Sequence, residues 1–208
     1  MSLPPIWSFR LRPVPVVAAL VSAAACADTL PRSSPYRGEP LPAARPRPDF
    51  TLTDTRGAPY PFLAQTKGTL TLLMFGYTNC PDVCPVHMAN VAAALHRLPY
   101  DVWSRTRVVF VTTDPERDTP EKLRAWLDGF DPSFVGLRGT PEEIHAAERL
   151  VGVAASVPEH TAPNGSYAVG HAAQVIAYTP DDSAHLVYPF GTRQTDWAHD
   201  LPLLVVVR

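Results

Sequence analysis

Cysteine is scarce in this chain: 208 residues hold three, Cys26, Cys80 and Cys84. Charge of one sign is lacking too, since 18 Lys and Arg face 20 Asp and Glu, for a formal net charge of -2 with no charge block. That balance gives no electrostatic footprint for nucleic acid, which is excluded as an expected partner. There is no internal repeat. The apolar stretch from Val14 to Ala25 runs for about a dozen residues, short of the roughly 20 that a convincing membrane-spanning helix needs.

What is there begins with that stretch. Arg10 and Arg12 precede it and small residues follow it, Ala23-Ala-Ala-Cys26-Ala27, which is the layout of a secretory signal. Ala25-Cys26-Ala27 fits ordinary cleavage, while Ala23 to Cys26 resembles a bacterial lipoprotein box, with Ala23 where Leu is usual. Residues 1–25 are therefore expected to be a signal peptide, with lipidation of Cys26 placed ahead of ordinary cleavage. Their removal takes Lys and Arg from 18 to 16 and the formal charge from -2 to -4. Twelve of the 24 prolines fall in the first 61 residues, so residues 26–48 are expected to be a Pro-rich linker between an anchor and a domain at 49–208. A chain this long has room for one full core plus such an extension. Export would bring Cys80 and Cys84 into an oxidising compartment, where they can close on each other unless a reductant or metal intervenes.

These two cysteines lie in Phe75-Gly-Tyr-Thr-Asn-Cys80-Pro-Asp-Val-Cys84-Pro-Val-His87, after an apolar run of strand length and before a helical pattern. Two sulfurs four residues apart at a strand-to-helix turn can converge on one metal ion or form a disulfide. The reading as two small buried hydrophobes is weakened by the two prolines and the strand-turn-helix frame. Pro85 suits the first position of a helix, which would make Cys84 its cap and leave Cys80 in the loop. Helix amides then favour the Cys84 thiolate, while the Asp82 carboxylate opposes it.

Farther along, Phe50 to Asp54 alternates with a period of two, and Thr69 to Phe75 and Arg107 to Thr113 read as strands buried on both faces. A helix from Pro85 to about Leu98 places Met88, Val91, Leu95 and Leu98 on one face. Thr119-Pro-Glu-Lys and Thr140-Pro-Glu-Glu each open a helix with a cap and a proline. Ala172 to Thr179 and Ala184 to Tyr188 read as a hairpin, followed by a last helix from Arg193. This order predicts an α/β sandwich with a mixed sheet and flanking helices.

The runs Gly76 to Pro85, Thr113-Asp-Pro-Glu-Arg-Asp-Thr-Pro-Glu121, Gly136 to Glu143 and Gly170-His171-Ala together resemble the Sco/SenC family of copper-binding assembly proteins. The resemblance runs from Asp49 to the last helix. It implies a thioredoxin-like fold, tethering on the periplasmic or outer side of an energy-transducing membrane, and a role in building the binuclear copper centre of cytochrome c oxidase subunit II. It implies copper as Cu(I) and Cu(II), with Cys80, Cys84 and His171 as ligands. A thioredoxin-like reductant and another copper donor would be further partners. Soft thiolates suit Cu(I), and an imidazole adds a donor that Cu(II) also accepts. The family pattern departs at Gly170 and Ala172, where an acidic residue and Ser are usual.

The competing reading is a thiol-disulfide oxidoreductase with Cys80 and Cys84 as a redox-active pair and no other catalytic residue; Cys-x-x-x-Cys favours chelation over the Cys-x-x-Cys of a thioredoxin-like reductant. A peroxidase reading ranks last, for Thr78 is available but the sequence places no activating arginine. His87 is a candidate fourth donor or a solvent-facing helix residue, and His160 a surface group. His96, His145, His185 and His199 need no function. Asp114 and Asp118 either support the metal or partner loop or serve as strand exit and helix cap. Met74, Phe75, Tyr77, Trp126 and Phe130 are expected to pack the sheet and its covering helices.

Overall fold

The computed structural model describes Met1, residues 34–159 and residues 167–208. The expected signal segment beyond Met1, Cys26 and His160 lie outside the described residues. The chain enters through β1 (Glu39–Pro46), β2 (Thr51–Asp54), β3 (Pro59–Pro61) and the short α1 (Phe62–Thr66), then forms β4 (Leu70–Gly76) and α2 (Val83–Leu95). After α3 (Tyr100–Ser104) come β5 (Thr106–Thr112), α4 (Pro120–Asp128), β6 (Val135–Arg138) and α5 (Pro141–Val151). It closes with β7 (Val157–Pro158), β8 (Val169–Gly170), β9 (Val175–Tyr178), β10 (Ser183–Tyr188) and α6 (Gln194–Leu204).

Eight strands form one mixed sheet in the order β1-β10-β9-β4-β5-β6-β2-β3, and β7 pairs with β8 in a separate ribbon. The centre, β4-β5-β6, is parallel, and β9 joins β4 antiparallel. The apolar run of β4 is buried at every position because both of its faces are covered. Leu70, Leu72 and Met74 pack with Met88 and Val91 of α2, Leu123 and Leu127 of α4 and Trp197 and Leu201 of α6. On the opposite face Leu73 and Phe75 meet Phe62 of α1 and Ile144, Ala147 and Val151 of α5. The period-two alternation of a strand thus divides one run between two cores. Trp126 packs on Phe110 and Phe130, as expected. Thr119 caps α4, and Thr140 forms a full capping box on α5 with Glu143.

Two boundaries differ from the sequence expectation. The linker reading for 26–48 fails over Glu39–Pro46, which is an edge strand paired with β10 and interrupted by a register shift between Pro40 and Arg45. Edge strands tolerate proline, since one side of the strand needs no ladder donors, so a Pro-rich run without periodicity still found a partner. The helix after the cysteine turn starts at Val83, not Pro85, with Asp82 as cap, and ends at Leu95. Pro85 is then the third helical residue, where the missing amide is still one of the four that no helical carbonyl can reach. Among the described residues no helix is long and apolar enough to cross a membrane.

Candidate metal centre

The site forms where β4 gives way to α2. Gly76 ends the strand, and a Cβ there would lie 2.5 Å from Cys84 Sγ, so glycine is what lets the thiol tuck against the strand end. Cys84 is fully buried in the first turn of α2, while Cys80 is partly exposed in the turn before it. The Cys80 amide donates to Tyr77 O at 3.1 Å, and the Cys84 amide donates to Cys80 Sγ at 3.5 Å. Both thiols are free.

His171 arrives from the irregular segment between β8 and β9. Its Nε2 lies 3.8 Å from Cys80 Sγ and 3.5 Å from Cys84 Sγ. The three donor atoms all fall within 4.8 Å of one another. The His171 Nδ1–H donates to Ala172 O at 3.1 Å, which leaves the Nε2 lone pair aimed at the sulfurs. Tyr77 stands edge-on to the ring at 5.7 Å between centroids. An S2N set of this kind, soft and convergent, fits a thiophilic metal ion.

Charge is divided unequally between the thiols. The hydrogen bond from Cys84 is the largest influence on Cys80; with the amides of Cys84 and Asp82 it outweighs burial and lowers the Cys80 pKa to about 4. The same hydrogen bond, burial and the Cys80 charge push Cys84 far up. The expectation that the helix amides favour the Cys84 thiolate is therefore corrected. Cys80 precedes the helix and receives those amides, whereas Cys84 is inside its first turn with its sulfur turned under the sheet. The pair retains one proton.

Asp118 and Asp114 hold the loops that carry these groups. Asp118, fully buried, accepts from the Thr78 amide at 2.9 Å, the Thr78 hydroxyl at 2.5 Å and the Thr112 hydroxyl at 2.7 Å, so one carboxylate ties the cysteine turn to the end of β5. The helix cap is Thr119, not Asp118. Asp114 accepts from Tyr167 Oη at 3.0 Å and from Arg117 Nε, and Arg117 Nη1 reaches Tyr167 O at 2.9 Å. The Arg117 guanidinium also lies 3.6 Å from the Tyr167 ring centroid and 5.7 Å from that of Tyr77. Sequence reasoning missed the Arg117–Tyr167 clamp, for which there was no local signal. Gly76, by contrast, was legible as a glycine ending an apolar strand just before the turn.

The missing acid at position 170 has a neighbour in its place. A Cβ on Gly170 would stand 3.2 Å from Glu159 Oε1, across the β7–β8 pair. His87 is not in the ligand cluster and is not solvent-facing: it is 1 % exposed, with Nε2 3.1 Å from Ala173 O. Elsewhere His96 meets Asp131, His145 meets Ser156 O, His185 meets Asp181 and His199 meets Asp200.

Known proteins resemble this chain in sequence and fold. A family model described as SCO1/SenC matches residues 38–205. The chain is 33% identical over 144 residues to a Stutzerimonas stutzeri protein named for copper binding, covering 69% of each. It is 30% identical over 142 residues to mitochondrial SCO2 of Saccharomyces cerevisiae, covering 68% of this chain but 46% of that one, so it spans about half the length of that relative. The structure of Bradyrhizobium japonicum ScoI with copper bound superposes with a TM-score of 0.66 at 30% identity, over 80% of this chain and 98% of that one. The fold is also that of BsSco, described with a disulfide switch and as a member of the Sco family of cytochrome c oxidase assembly proteins (TM-score 0.61, 20% identity, 82% of this chain and 98% of that one). The α/β sandwich with its mixed sheet is thus thioredoxin-like.

Proposed function

The chain belongs to the SCO1/SenC family, and from that premise we propose that it is a copper chaperone, holding one copper ion as cargo through Cys80, Cys84 and His171. The observation that carries this reading is the convergence of His171 Nε2 on two free sulfurs. Two thiolates meet most of the preference of Cu(I), and the imidazole serves Cu(II), which takes more and harder donors. Cys80 is the accessible ligand and Cys84 the buried one, so an incoming partner would exchange with Cys80 first. The recipient proposed is cytochrome c oxidase subunit II at its binuclear copper centre, with a separate copper donor upstream.

A second reading rests on the unequal thiols. A Cys80 thiolate attacks a partner disulfide and expels one partner thiolate; Cys84, on losing its proton, then attacks the mixed disulfide and releases the second. The partner gains two electrons and the chain is left with a Cys80–Cys84 disulfide, which a thioredoxin-like reductant must reopen. Both readings need a reduced pair.

Export to the periplasm or the outer face of the cytoplasmic membrane, with lipid on Cys26, belongs to the same proposal. It is supported by Arg10, Arg12 and the apolar stretch that ends in Ala-Ala-Ala-Cys26. The mass of the mature amino terminus decides it, a free Asp28 meaning ordinary cleavage.

Titration of the reduced protein with Cu(I) against a competing chelator tests the main proposal. One tight equivalent is expected, lost when Cys80→Ser and Cys84→Ser are combined. Unchanged affinity in the double variant removes the copper assignment.

A further inference from the structure

His87 lies three residues past Cys84 on α2, so the two share one face of the helix. Its ring is 1 % exposed and stands edge-on to Phe190 at 6.2 Å. Nε2 is 3.1 Å from Ala173 O, while Nδ1 is buried with no hydrogen-bond partner among the described residues. An apolar side chain would fill this space without stranding a ring nitrogen, so packing alone does not account for a histidine here. What the ring adds is a bond to the segment that carries His171. That segment is held on one side by Gly170 against Val157 and on the other by Val175 against Met74, and between them residues 171–174 pair with no strand.

We propose that His87 is a positioning residue for the metal centre: its Nε2–H donates to Ala173 O and ties the His171 segment to the helix that bears Cys84. One element then sets both the buried sulfur and the imidazole that faces it at 3.5 Å. With Nε2 bonded to a carbonyl, His87 is a tether and not a fourth ligand. This inference rests on His171 being a ligand and names what keeps it in place.

The test compares His87→Leu, which fills the space without a donor, with His87→Gln, whose amide nitrogen can reach the same carbonyl, and with His171→Ala. In the reduced, metal-free protein, nitrogen-15 NMR of the imidazoles reads the His171 tautomer. Parent and H87Q should show one Nδ1–H form, and H87L a mixture. Cu(II) affinity should fall about tenfold in H87L, as for loss of a group that orients a ligand, and stay within about twofold in H87Q. Parent-like spectra and affinity in a folded H87L overturn the proposal. Should H87L not fold, H87Q carries the test: a single His171 form supports the tether, and a mixture overturns it. Unchanged Cu(II) binding in H171A would remove the ligand reading instead, while the metal-free spectra still decide whether His87 holds the segment.

Discussion

The two ends of β4 both bury polar groups, and they treat them differently. At the amino end the Arg47 guanidinium is fully enclosed, and each of its N–H groups has an acceptor. Nε donates to Asp182 Oδ1 at 3.0 Å, Nη1 to the hydroxyls of Thr66 at 3.0 Å and Thr71 at 2.8 Å, and Nη2 to Thr69 O at 2.8 Å and Thr179 O at 3.0 Å. At the carboxyl end two sulfurs and a ring nitrogen face one another at 3.5 and 3.8 Å, sharing weak donors and leaving lone pairs aimed at a common point. A buried group whose bonding capacity is exhausted holds the fold. One whose capacity is left over, and converges, is able to take a ligand.

The largest effect that would sharpen this contrast is at the closed end. Arg47→Met should lower stability by about 3–5 kcal/mol, because it removes the ion pair with Asp182 and four further hydrogen bonds from one buried charge at once. Urea unfolding measures the loss, and the folded fraction should bind copper as the parent does; a variant that loses copper affinity while keeping its stability would break the division of labour. Asp118→Ala comes next, at about 2 kcal/mol, since three hydrogen bonds to a charged acceptor disappear together. It should weaken copper binding as well, because Thr78 is released from Thr112, and parallel unfolding and competition titrations should show both changes.

The effect expected at the open end is one of pH. Cys80 has its folded pKa lowered to about 4, so its contribution is present above the ordinary thiol pKa and is lost as pH falls toward about 4. Cys84 is shifted upward, so its contribution is present below the ordinary thiol pKa and is lost as pH rises beyond it. The combined advantage of the reduced, metal-free parent over the Cys80→Ser, Cys84→Ser variant should therefore peak near a pH of about 8.5. Thermal unfolding from acid to alkaline pH reads this difference. A flat difference would mean that the thiols do not share a proton.

Much of the architecture was written in local signals. The runs at β4 and β5, the Thr-Pro-Glu openings of α4 and α5 and the strand-turn-helix around Cys80 and Cys84 each lie within a few consecutive residues, so periodicity and caps reveal them. β1 was missed because its partner is remote. Arg47, two residues before the expected domain start, is a core residue only because Asp182, 135 positions away, comes to meet it.

The sequence by itself therefore determined the sandwich, the turn that brings two sulfurs together and, through the family's motifs, the choice of His171. Tertiary structure decided what those groups became. It brought His171 to within reach of sulfurs 91 and 87 residues away, made Cys80 rather than Cys84 the thiolate, and made Asp118 a clasp rather than a helix cap and His87 a tether. Caps and periodic faces are set by neighbours along the chain. Desolvation, and the pairing of groups held on different strands, exist only once the sheet has closed.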